Sequence, residues 1–210
     1  FSNLITAQSF VIQYDYSKRV KKDSTRIVSQ NTFLNIEENY STFFSEAPYL
    51  ADSIIASDKK LGNKINFKTL PADLLGCYIQ KKLSSKEVIY YSDEFDEHEY
   101  KYNEEPKFTW KITKESKEIL GHKVYLASTT YGGRNYIAYF TTEIPVQDGP
   151  YKFFGLPGLI LEIFDEKKLK DIIEKLRNMQ NADRNRIKNP RVKIKDDLSL
   201  ILLEGCEEDE

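Results

Sequence analysis

Thiols and imidazoles are nearly missing from this chain: Cys77 and Cys206 are its only cysteines and His98 and His122 its only histidines, in 210 residues. Two cysteines so far apart make no disulfide framework, and they show neither a CxxC pair nor a zinc-ligand spacing. A Cys77–Cys206 bridge remains one reading, and a buried Cys77 with a tail thiol the other. Neither histidine sits in a triad or a metal motif. A GxSxG elbow, a phosphate-binding P-loop, a GxGxxG fingerprint and an HExxH helix are all absent. No apolar run reaches the roughly 18 residues that read as a membrane-spanning helix. Charge of one sign is lacking too: 31 basic residues stand against 33 acidic ones, a net of −2. Nucleic acid needs a concentrated basic surface, and nothing here supplies one.

What the chain does have is aromatic residues, 14 Tyr and 12 Phe among 40% hydrophobic and 30% charged residues. That balance describes a folded domain with a full core, and flat rings favour the pleated surface of strands. Period-two alternation runs from Ser9 to Tyr16, with Phe10, Ile12, Tyr14 and Tyr16 on one face. Residues 27–36 and 40–44 read as further strands around the polar turn 37–39, and 74–80 and 88–91 as two more. Residues 50–57 read as a short helix, and 58–68 as loop or irregular strand. Three strands at 108–114, 123–131 and 135–142 form an antiparallel meander, turned at Gly121 and at Gly132-Gly133 where glycine accepts positive φ. The expected fold is therefore mainly β: a curled antiparallel sheet, sandwich or barrel-like, with one C-terminal amphipathic helix. That helix is read over 165–182, from Leu169, Ile172, Ile173, Leu176 and Met179 at helical spacing, with Asp165 as its cap. A polar tail, 183–210, holds a last strand at 198–203. The chain begins at Phe1, and residues 1–7 are read as a leader remnant, Ala7 suiting the position before a cleavage site.

The stretch that organises the rest is Gly155-Leu156-Pro157-Gly158-Leu159-Ile160, continuing through Phe164. Pro157-Gly158 fits the centre of a type II turn. The apolar run beyond it suits a strand covered on both faces. On residues alone this is a fixed structural turn. Trp110 is expected to fill the core of the meander.

The hexapeptide also carries a resemblance. With Trp110–Ile112, Glu115–Lys117, Ile119–Gly121, Ala127, Gly133–Tyr139, Glu143–Pro145 and Gly149–Phe153 in the same order, it resembles the signature of the GLPGLI family. These are secreted proteins of the Bacteroidota phylum without an established biochemical activity. The resemblance covers roughly 8–165, taking in the β-rich domain read over 8–164, and implies export to the periplasm or cell envelope. In that family a further strand follows the signature strand. Here helical spacing follows directly, which would leave a sheet edge open.

No catalytic residue, metal site or cofactor is singled out. The acidic run Asp93, Glu94, Asp96, Glu97, His98, Glu99 lacks calcium-loop spacing and reads as a hydrated hairpin. The binding candidates are Arg134, Tyr136, Tyr139, Glu143 and Tyr151. Arg134 can clamp a ligand carboxylate or an internal one, with Glu143 or Asp148 as the natural internal partners; the tyrosines can line an amphipathic groove. His122 reads as an exposed turn residue. The function expected is an exported envelope binding or assembly protein without catalysis, its partner another envelope protein, a peptide or a lipid-like ligand. A carboxylate- or metal-dependent hydrolase and a cargo processed by envelope machinery are the alternatives.

Overall fold

The computed structural model describes residues 10–20, 26–95, 98–167 and 201–202. Alternation of inward apolar and outward polar residues produces strands nearly everywhere. They are β1 (Phe10–Arg19), β2 (Ile27–Ile36), β3 (Tyr40–Ser45), β4 (Tyr78–Lys82), β5 (Val88–Phe95), β6 (His98–Glu104), β7 (Lys111–Ile119), β8 (His122–Tyr131), β9 (Arg134–Thr141), β10 (Leu159–Asp165) and β11 (Ile201–Leu202). They form two sheets, one ordered β11-β1-β2-β3-β4-β5-β6 and one ordered β10-β9-β8-β7. Among the described residues every pairing of strands is antiparallel except the short parallel contact of β1 with β11.

The sheets stay separate and share one core, so the architecture is a sandwich and the barrel expectation is corrected. Inward residues of the large sheet, among them Tyr14, Leu34, Phe43 and Ile79, meet Ala127, Ala138, Phe140, Ile160 and Ile163 of the small one. Tyr14 reaches across and donates its buried hydroxyl to the Ile160 carbonyl at 2.7 Å. Cys77 lies in this core at 7% exposure. Cys206, and with it the question of a bridge, falls outside the described residues. Trp110 packs half-buried at the core's margin, its indole N–H donating to the Phe154 carbonyl at 2.9 Å.

Helix placement also corrects the expectation. The described α-helix is α1 (Ala47–Leu61), between β3 and β4, longer than the short 50–57 segment. Proline in its first turn and Gly62 at φ 70° past its end supply its start and stop signals. At the C-terminal side, only Glu166 and Lys167 of the expected 165–182 helix are described, and both are helical. Asp165 caps them, its Oδ1 accepting from the Lys167 N–H at 2.9 Å.

The signature strand β10 is buried along nearly its whole length. At its start the strand is met by the preceding loop: Leu159 N–H donates to the Ile144 carbonyl at 3.1 Å and Ile160 N–H to the Asp148 carbonyl at 2.9 Å. A bulge after Ile160 leaves Leu161 without an opposite residue, so Glu162 faces Tyr139. The Pro157 corner is tighter than a type II turn: Gly158 N–H donates to the Leu156 carbonyl at 2.8 Å, a three-residue turn. The chain has to turn this sharply because it passes hard against the end of β9, where Thr141 sits.

Candidate functional site

The loop 142–158 enters the sandwich and leaves it again, and its two lysine- and aspartate-bearing turns make the polar features of the interior. The deeper one pairs Asp148 with Lys81, an inward residue of β4 two places beyond Ile79. The shallower one lies where the two sheets part, around Tyr151-Lys152-Phe153.

Phe153 is fully buried and is the hub of that end. Its ring lies 4.8 Å from Tyr136, 5.2 Å from Phe108, 5.9 Å from Tyr131 and 6.3 Å from both Trp110 and Tyr151. Beside it the Lys152 ammonium is enclosed by three tyrosine rings, with centroids 4.8 Å (Tyr102), 4.9 Å (Tyr90) and 5.4 Å (Tyr151) away. Lys152 Nζ pairs with Glu104 Oε1 at 2.6 Å and donates to the Tyr102 hydroxyl. Tyr131 closes the set, donating to Glu104 Oε2 at 2.7 Å. Glu104 ends β6 and Tyr131 ends β8, so this one carboxylate joins the two sheets at their open end. Burial pulls the Lys152 ammonium toward deprotonation, but the hydrogen bonds to Glu104 and Tyr102 outweigh it and its pKa is raised. Burial and then the Glu104 hydrogen bond push the Tyr131 phenol well above its usual range. The cluster thus keeps Lys152 as a lysinium and Tyr131 as a neutral phenol. It can present ring faces and hydroxyls to a partner.

Of the five expected binding residues, three come to this end. Tyr136 and Tyr151 both pack on Phe153, and Arg134 lies two residues before Tyr136, at the start of β9. The other two do not. Tyr139 projects from the opposite face of the small sheet, 6.4 Å from Phe164 and with the Lys117 ammonium 3.6 Å over its ring. One groove therefore cannot contain Tyr136 and Tyr139, since odd spacing along a strand separates faces. Glu143 lies beyond the far end of β9, where it binds His122 Nδ1 at 2.7 Å and accepts from the Lys123 N–H at 3.3 Å. Neither Glu143 nor Asp148 faces Arg134; its guanidinium stands 3.8 Å from Asp165. The signature residues act as scaffold: Leu156, Gly158, Leu159 and Ile160 are buried, and Gly155 and Pro157 lie at the surface.

Glu143 gives a pH test. The His122 hydrogen bond, then the Lys123 N–H, hold its carboxyl below the ordinary value of 4.5. A carboxylate depressed by folding stabilises the fold fully above its unfolded pKa and loses that contribution as pH falls through the folded one. Urea midpoints of the parent and of Glu143→Gln are therefore expected to differ slightly near pH 6 and to converge below pH ~4. A gap that widens in acid would contradict the assignment.

Sequence reading passed over Lys81, Lys152 and Glu104. Lys81 left a signal, a lysine at the inward parity of a strand after Ile79. Glu104 left none, because its partners come from 27 and 48 residues away in the chain. Of the acidic run, Asp96 and Glu97 and the side chains of 93–99 fall outside the described residues; the backbone of Phe95 pairs with that of His98. Among the described residues no three His, Cys, Asp or Glu side chains gather as a metal ion requires, and no helix is long and apolar enough to cross a membrane.

No curated protein matches the chain. Two crystal structures of PNGF-II, in space groups C2 and P21, are similar in fold, each with a TM-score of 0.50, at 18% and 19% identity over 76% of this chain. The chain spans about a quarter of the length of those structures, 25% and 26%. From the β8–β9 turn through the loop into β10, residues 132–162 match the model of a family described as a protein of unknown function (Porph_ging).

Proposed function

We propose that this chain is a binding or assembly module of the cell envelope, without catalysis, and that it is exported as its resemblance to the GLPGLI family implies. The partner is a segment of another envelope protein that lays an aromatic or aliphatic side chain against the Tyr151 end of the sandwich. One observation carries this reading. Tyr151 is held at φ 55°, a left-handed conformation, with its ring half-buried on the rim. For a bulky residue that costs about 1–2 kcal/mol. Such strain persists only where surrounding structure imposes it, and it clusters at functional sites, ligand clamps among them. The tyrosine rings around Lys152 and Phe153 supply rigid amphipathic area at low entropic cost, the composition that favours protein recognition.

Tyr151→Gly separates stability from binding. Glycine relieves the left-handed strain, so the melting temperature is expected to hold within a few degrees of the parent, the gain of ~1 kcal/mol offsetting the lost ring contact. With a photo-crosslinking phenylalanine analogue at Tyr131 in the source cells, the parent is expected to give a discrete protein adduct and the Tyr151→Gly form at least ten times less. The same analogue at exposed Lys64 serves as the control. Equal adducts from both forms, or from Lys64 as readily as from Tyr131, would remove this end as the binding surface.

A further inference from the structure

The Lys81–Asp148 pair is the least expected feature of the interior. Lys81 reaches in from the large sheet and Asp148 from the loop bound to β10 of the small sheet, and their side chains are 2% and 1% exposed. Lys81 Nζ donates to Asp148 Oδ1 and, at 2.5 Å, to the Gly149 carbonyl. Asp148 Oδ1 also accepts from the Gly149 N–H at 2.8 Å, whereas Oδ2 is buried with no hydrogen-bond partner among the described residues. The surroundings offer no water-like relief: the Tyr14 hydroxyl is committed to the Ile160 carbonyl, and a Cβ on Gly149 would already lie 2.7 Å from that of Ile160. An ion pair with one bare oxygen in such a place is a poor resting state.

We propose that Lys81 and Asp148 condense into an intramolecular amide that joins the two sheets covalently. Burial favours transfer of the lysinium proton to the carboxylate, which leaves a neutral amine beside a carboxylic acid. The Nζ lone pair then adds to Asp148 Cγ, and the Gly149 N–H supports the charge that develops on Oδ1. Collapse of the adduct re-forms the C=O at Oδ1 and expels Oδ2 as water, which takes the second proton from Nζ. The balance is one lysinium and one carboxylate going to one amide and one water, with no oxidant, reductant or co-reactant. Holding amine and acid in contact supplies effective concentrations on the order of 10⁵–10⁸ M, and escape of water from a dry site draws the reaction forward. Burial lowers the Lys81 pKa in spite of the opposing pull of Asp148, which agrees with a nucleophilic amine. The amide retains an N–H for the Gly149 carbonyl and removes the unpaired oxygen.

The test is the intact mass of the purified, fully denatured chain. The parent is expected to be lighter than its sequence by one water and to give, after proteolysis, a branched peptide linking Lys81 to Asp148. Lys81→Met is expected to keep its full mass, while Tyr14→Phe, which leaves both reacting groups in place, loses the water as the parent does. A parent chain at full sequence mass after prolonged folding, whose Lys81 takes up an amine reagent once denatured, would overturn the proposal. So would loss of water without the branched peptide. Neither result depends on what the Tyr151 end binds.

Discussion

Gly158→Ala is expected to cost more than about 3 kcal/mol, a fall in melting temperature of roughly 6–12 °C or more for a chain of this size. An added Cβ would lie 1.9 Å from the Thr141 carbonyl oxygen, 2.7 Å from its carbon and 3.1 Å from Thr142 Cα. All three are backbone atoms, so no side chain can swing aside. Relief requires β9 and β10 to separate at the place where Leu159 pairs with Thr141. Gly121→Ala is the comparison. It sits at φ 81° with nothing within 4 Å of the added atom, so it should cost only the backbone strain, about 1 kcal/mol. Thermal unfolding followed by circular dichroism of the two variants checks the contrast. Equal melting temperatures would mean that the signature glycine is not a contact residue.

The second large effect is at Phe153. Removing this ring takes away the common neighbour of Phe108, Trp110, Tyr131, Tyr136 and Tyr151, and Phe153→Ala should cost about 3–5 kcal/mol. The denaturant midpoint should fall with the slope unchanged, since the same surface is exposed on unfolding. Phe153→Leu should recover a large share, because an apolar side chain still fills the hub. Should Phe153→Ala cost less than about 1.5 kcal/mol, the end of the sandwich would have to be plastic enough to collapse into the space. A rigid binding end would then be untenable.

These two residues were not equally visible beforehand. Gly158 stood out within a proline–glycine corner, but the corner's own chemistry pointed to a type II turn. The real constraint, the approach of Thr141, belongs to a strand 17 positions earlier. Phe153 was one aromatic among 26 Phe and Tyr residues, and nothing local marked it as the centre. Arg134 shows the same limit from the other side. Its place at a turn was readable, yet its carboxylate partner proved to be Asp165, brought alongside by the pairing of β9 with β10.

Period-two alternation, the Gly121 and Gly132-Gly133 turns and the greasy run after Pro157 were enough for the chain alone to determine a mainly β, antiparallel protein and nearly every described strand. Those signals are local, since they depend on backbone stereochemistry and on which face of a strand is apolar. Only the tertiary structure decided that the sheets stay open as a sandwich, and that Lys81 meets Asp148 while Lys152 meets Glu104. Each of these rests on side chains drawn together from strands and loops 48 to 67 residues apart or on how the hydrogen-bonded edges end. Such contacts arise when two separately formed surfaces remove each other from water, and no window of sequence contains both.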